Sequence, residues 1–384
     1  MKTVTRNSNI LETKSDFKKL ITIKSFPVFL GCVKTKTSKD LFTDQTWQID
    51  KKSGMIQLKK LIPLDILYKS QHTSGDNGNL WHKHHDSFCN FLLKYKNTKN
   101  IFEIGGAKGF LAKRYLSKKI HKDAHWKMIE PNPDLKFKDK RLKVIKSFFD
   151  EKYSENLNNY TVVHSHTLEH MYRPMKFIRD ISNKMSIGAR MIIAFPNMLE
   201  MLKRKYSNCI NFEHTFFMRE GHLKYMMLEN NLKLIKKEKF LNDHSIFYCF
   251  EKRIDNSKKI KINYFKRNKK LFEDYIKYYK NLVKKINNKI SNKSNKNKKV
   301  YLFGAHIFSQ TLLNFGIDSK KIEYILDNDK TKENKRLYGT NLKVKSPQIL
   351  KKEEAPLVIL KCGVYNDEIK NQILKNINSK ATFL

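Results

Sequence analysis

Apolar residues along this chain fall into short runs that stop at a polar residue or a glycine, with helix-like stretches between them. Ile101-Phe102-Glu103-Ile104 runs into Gly105, Gly106 and Gly109, and Phe110-Leu111 then opens a helix. Trp126-Lys127-Met128-Ile129 is a second run, closed by Glu130. Thr161-Val162-Val163 is a third, leading into His164, Ser165 and His166, and residues 190–195 form a fourth. After the third run, Pro174 suits a first helical turn, and Met175, Phe177, Ile178 and Ile181 recur at helical spacing. Short apolar strands alternating with helices predict a parallel α/β sheet. A late pair of strands at 232–235 and 246–250 completes it.

The pattern differs on either side of this stretch. Residues 26–30 and 55–58 read as strands with turns at Gly31 and Ser53-Gly54, which predicts a small lobe over 1–86. The α/β domain spans 87–252. Over 253–299, Leu271, Tyr275, Tyr279, Leu282, Ile286 and Ile290 form one stripe of a basic helix, followed by a polar linker at 291–299. From 300 to 384 a second, smaller α/β domain is predicted. Its strands lie at 300–305, 322–326 and 357–360, and its helices end at Gly316 and cover 369–374.

With 384 residues and 40% hydrophobic content, the chain has material for two or three cored domains. The formal charge of +41 would suit nucleic acid or an anionic membrane if it were clustered. The lysines are instead spread through every segment among asparagines and isoleucines, as on solvated faces, so nucleic acid is not the expected partner. No run reaches the ~18 apolar residues of a membrane span and the first 19 residues lack an apolar signal region, so a cytoplasmic protein is expected. Cys32, Cys89, Cys209, Cys249 and Cys362 lie far apart, the pattern of free thiols.

The glycine turn after the first run carries the chemistry. Glycines let backbone approach a ligand, and free N–H groups at a helix start favour a carboxylate. Glu130, roughly 20 residues on, can accept both hydroxyls of a ribose. A nicotinamide site would need glycine at 107 and 110, where Ala107 and Phe110 stand. The loop from Glu103 through Gly105, Ala107 and Gly109 resembles the acid-x-Gly-x-Gly-x-Gly loop of class I S-adenosylmethionine-dependent methyltransferases, and Leu168-Glu169-His170 resembles the step after their fourth strand. The resemblance implies a Rossmann-like core with S-adenosylmethionine (SAM) as cofactor. It implies that Gly105, Ala107 and Gly109 line the methionine end, which Glu103 contacts indirectly, and that Glu130 holds the ribose. Phe149 and Asp150 would flank the adenine, with Ser165 and His166 closing the pocket.

The order of lobe, core and second α/β domain is similar to the C-methyltransferases of nucleotide-linked deoxysugars. Gly304-Ala305, Thr311-Leu312-Leu313-Asn314, Gly316-Ile317, Asp327, Lys332, Gly339-Thr340 and Asp367-Glu368-Ile369 match that family's terminal domain. Glu213-His214 matches its catalytic segment, with Asn211 where the family has tyrosine and Phe212 where it has histidine. Asn242-Asp243-His244-Ser245 stands where the family has His-Gly-Gly-Ser, and His84 matches a Trp-x-x-His step. The resemblance implies a nucleotide sugar as substrate, His214 as base, Glu213 orienting it, and Asn211 or backbone donors steadying an enolate. The family's lobe holds zinc through two cysteine pairs, of which one has become Asp50 and Ser53, so no zinc is expected. The histidines at 81–85 lack the spacing of a known metal motif, and no metal is expected there either. A small-molecule or glycan O- or N-methyltransferase and a non-catalytic SAM-binding scaffold are the rival readings.

Overall fold

The runs between 101 and 195 become the parallel centre of a seven-stranded sheet because each is apolar on both faces and is covered by helices on both sides. The computed structural model describes residues 3–68, 78–118, 122–254, 260–292 and 298–384. The sheet comprises β1 (Ile101–Ile104), β2 (Trp126–Ile129), β3 (Leu142–Ile145), β4 (Thr161–Ser165), β5 (Arg190–Pro196), β6 (Leu232–Phe240) and β7 (Ser245–Lys252). Their order is β6-β7-β5-β4-β1-β2-β3. Strands β1 to β5 are parallel, and β7 runs antiparallel to both β5 and β6.

One face carries α1 (Asn79–Tyr95) and α2 (Phe110–Leu116), whose Phe88, Phe91, Leu92, Leu111 and Tyr115 pack on Trp126, Met128, Val163 and Phe247. The other carries α3 (Pro174–Lys184), which buries Met175, Phe177, Ile178 and Ile181 as its spacing predicts. Two elements escaped the pattern. The first turns of α1 are crowded with Trp81, His82, His84 and His85, which hide its helical stripe, and β3 is a four-residue edge strand with no fully buried side chain.

The N-terminal lobe is an antiparallel sheet of Phe17–Pro27, Phe42–Asp50 and Ile56–Leu58 around the wholly buried Trp47. The strand expected at 26–30 is the end of an eleven-residue strand in which Lys18, Lys19 and Lys24 interrupt the apolar alternation. The sheet is not closed by lobe residues alone: Phe216–Phe217, from beyond β5, pairs antiparallel with Ile56–Leu58. At its turn, Asp50 is fully buried and accepts four hydrogen bonds: from Asn9 Nδ2 (2.9 Å), Ser53 N (2.8 Å), Ser53 Oγ (2.6 Å) and Asp16 N (2.8 Å).

The basic helix is α4 (Phe265–Ser291), burying Phe272, Tyr275, Ile276, Tyr279, Val283, Ile286 and Ile290. Much of the expected linker, 293–297, lies outside the described residues. Beyond it, β8 (Val300–Phe303), β9 (Tyr324–Leu326), β10 (Val344–Lys345), β11 (Leu357–Ile359) and β12 (Thr382–Phe383) make a parallel sheet ordered β10-β9-β8-β11-β12. Asp327, just past β9, accepts from the Ala305 amide (2.8 Å) and pairs with Lys332 (3.0 Å). This domain touches the lobe directly: Cys32–Val33 pairs with Arg336–Leu337, and the Arg336 guanidinium forks onto Asp40 at 2.6 and 2.7 Å. Among the described residues no helix is long and apolar enough to cross a membrane, and the five cysteines are unpaired, four of them buried.

Candidate active site

The turn after β1 is shaped by backbone that side chains would obstruct. Gly105 and Gly109 have φ of +78° and +68°, and Ala107 adopts +44°. A Cβ on Gly106 would lie 2.2 Å from Met128 Sδ and 2.7 Å from Glu103 Oε2, and one on Gly105 would lie 2.6 Å from Thr167 Oγ1. Glu103 therefore sits beneath the loop. Trp126 Nε1 donates to it at 2.9 Å, and burial pushes its carboxyl up to about 8. Glu130, at the end of β2, accepts from Ala107 N (3.1 Å) and Asn132 N (2.9 Å), one bond on each oxygen. Each oxygen keeps a lone pair for a ribose hydroxyl. Phe149 is half-buried against Phe102, Tyr153 and Phe177, whereas Asp150 is exposed and caps Lys152 N at 2.9 Å. Ser165 ends β4 and is half-buried.

Beside this loop, the turn after β4 and the segment leading to Phe216–Phe217 meet. Glu169, His170 and His214 each bring a ligating atom within 4.8 Å of the others. The His214 amide donates to Asn211 Oδ1 at 2.6 Å, and the Asn211 amide nitrogen lies 3.4 Å from His214 Nδ1, so the buried Asn211 fixes the histidine's loop. Burial holds His214 and His170 below the ordinary imidazole range against the pull of Glu169, which keeps both in the neutral, proton-accepting form. Burial also raises the Glu169 carboxyl, with His170 and His214 opposing. Arg6 reaches in from the lobe, donating to Thr215 O (3.0 Å) and Tyr172 O (2.9 Å).

The structure adds residues that the pattern did not single out. Tyr68, at the end of the described lobe, is held well above the ordinary phenol range by burial and then by the nearby Glu213, Tyr172, Glu169 and Glu130. Asn132 Nδ2 donates to its carbonyl at 2.9 Å. Glu169 and His170 were visible only as part of the step after the fourth strand. A second group forms where α1, β4 and the β6–β7 turn converge: His84, His166 and His244 bring their ring nitrogens within 4.8 Å of one another. His166 thus faces two other histidines.

A sheet of this order, with β7 as its antiparallel member and a glycine turn after β1, defines the class I methyltransferase fold. A sequence match to a known family covers the C-terminal part. Residues 263–384 match the family model of the C-methyltransferase C-terminal domain. No curated protein matches the chain in sequence. Solved structures similar to it include the N-methyltransferase NodS of Bradyrhizobium japonicum WM9, at 12% identity over 47% of this chain and 99% of that one (TM-score 0.33). A SAM-dependent methyltransferase of Mesorhizobium loti is 8% identical over 46% of this chain and 99% of that one (TM-score 0.37). The magnesium protoporphyrin IX methyltransferase ChlM of Synechocystis PCC 6803, with bound SAM, is 9% identical over 45% and 80% (TM-score 0.32). Residues 263–384 are thus similar to a C-methyltransferase C-terminal domain, and the core before them has the class I methyltransferase topology.

Proposed function

We propose that this protein methylates carbon in a nucleotide-linked keto-deoxysugar, in the cytoplasm, with residues 1–86, 87–252, 253–299 and 300–384 as its lobe, cofactor core, connecting helix and second substrate domain. The observation that carries this reading is the convergence of Glu169, His170 and His214 beside the glycine turn, joined to a C-methyltransferase terminal domain. The residues fit SAM: the turn presents no side chain at 105, 106 or 109, and Glu130 has an acceptor free on each oxygen. SAM supplies an electrophilic methyl on a sulfonium. His214 takes the proton from the carbon next to the sugar ketone, and the electron pair moves onto the ketone oxygen. The enolate oxygen is met by the Tyr68 hydroxyl or the Asn211 amide, the enolate carbon would take the methyl as its bond to sulfur breaks and leaves the neutral thioether S-adenosylhomocysteine, and His214 passes its proton to solvent. Glu213 and Glu169 favour the charged imidazole during that interval. The lobe holds its turn by Asp50 and its four donors where the resembling family uses zinc.

Incubation with SAM and a panel of nucleotide 4-keto sugars, followed by mass spectrometry, should show the gain of one methyl on carbon. His214→Asn should abolish the gain while calorimetric binding of SAM stays within about twofold. Full activity of that variant, methylation on oxygen without proton exchange in deuterated water, or tight SAM binding with no turnover across the panel would each refute the reading.

A further inference from the structure

We propose that His84, His166 and His244 form a binding site for a divalent first-row transition-metal ion, zinc or a close neighbour. The three come from separate elements: the second turn of α1, the residue after β4, and the turn before β7. Local sequence spacing could not reveal such a site, which is why the histidines at 81–85 carried no metal motif. Their ring centroids stand 5.1, 5.2 and 5.8 Å apart, and Trp81 lies about equally close to all three, at 5.3, 4.9 and 5.0 Å.

His84 is the decisive residue. It is 0% exposed, and neither ring nitrogen has a hydrogen-bond partner among the described residues. Its ring packs against Phe88, Phe240 and Phe247, so each unanswered ring nitrogen is a cost to the fold. A Lewis acid answers the lone pair without adding a proton. The other two rings are organised as ligands usually are. His166 Nδ1 lies 3.3 Å from Glu169 Oε1, close to a carboxylate of the kind that orients metal-binding rings, though without hydrogen-bond geometry. The Ser245 hydroxyl, itself wholly buried, ties His166 Nε2 (2.8 Å) to His244 Nδ1 (2.6 Å).

Three imidazoles with an apolar surround suit a borderline ion of tetrahedral habit and leave one position open to water, to Ser245 or to an oxygen of the methyl acceptor. The neighbouring Glu169, His170 and His214 could also gather an ion, so the test must separate the two groups. Full-length protein, stripped with a chelator, is dialysed against Zn²⁺ and its metal content measured; Co²⁺ is then substituted and its visible spectrum recorded. Wild type should hold one equivalent with a nitrogen-type cobalt spectrum. His84→Phe, which keeps an aromatic ring in an aromatic surround, and His244→Ala should each weaken binding at least about tenfold. His214→Asn and the exposed His125→Ala should keep it. An empty wild type, loss in His214→Asn with retention in His84→Phe, or a cobalt–thiolate band would overturn the site. Neither SAM nor sugar enters the assay, so its outcome is independent of the methyl-transfer reading.

Discussion

Among the described residues Glu103 has a single hydrogen-bond donor, the Trp126 indole, and no cation beside it. In the unfolded chain its carboxyl loses a proton near 4.5, and in the fold near 8. Between those values the folded state binds the extra proton, so this residue's contribution is full below the lower value and fades as pH rises toward 8. Glu103→Gln, which stays neutral and can still accept from Trp126, should gain on wild type by a few kcal/mol between pH 5 and pH 8, at about 1.4 kcal/mol per pH unit within the window. An equal difference at both pH values, by chemical denaturation, would mean that Glu103 is ionised in the fold. The residue's place in the motif was legible; its burial under Gly106 was not, because nothing in Glu-Ile-Gly-Gly says which side of the turn the carboxyl takes. His84 and His244 were likewise visible only as isolated residues, since their meeting depends on how α1 and the β6–β7 turn pack.

At the level of elements, the strands that read most clearly are the mostly buried ones of the central sheet, where at most one charged residue interrupts a run of apolar positions. Strand Phe17–Pro27 and helix α1 were obscured for the opposite reason: one carries lysines at its exposed positions, the other opens with three histidines, of which His84 is buried yet polar. The turn at Asp50 shows how polar contacts secure the lobe beside its apolar core. Asp50→Ala would leave the buried Asn9 and Ser53 donors unanswered, and a loss of about 3–5 kcal/mol is expected. The check is the urea midpoint of the full chain. A loss below about 1 kcal/mol would show that the donors find water or other partners.

Across the whole molecule, the lobe is fastened to both α/β domains, and neither attachment could be seen as a pattern because each partner lies more than 150 residues away. The Arg336–Asp40 fork, with side chains 10% and 1% exposed, secures one side. Arg336→Ala strands the buried Asp40, and a loss of about 3–5 kcal/mol is expected, with proteolysis near residue 40 accelerated before global unfolding. Unchanged cleavage would assign the contact to the surface class. The other attachment is strand Phe216–Phe217 beside Ile56–Leu58, with Arg6 holding Thr215. It bears on how the protein is made. At ribosomal rates of ~5–20 residues per second, roughly ten to thirty seconds separate the emergence of Leu58 from that of Phe216. For that interval the lobe has an unpaired sheet edge, and the nascent chain is exposed to mispairing or to capture by a chaperone. Arrival of the final strand ends this exposure and sets His214 in place in the same event, so a ribosome-bound chain stopped short of residue 217 carries a lobe still awaiting its partner and a site not yet assembled.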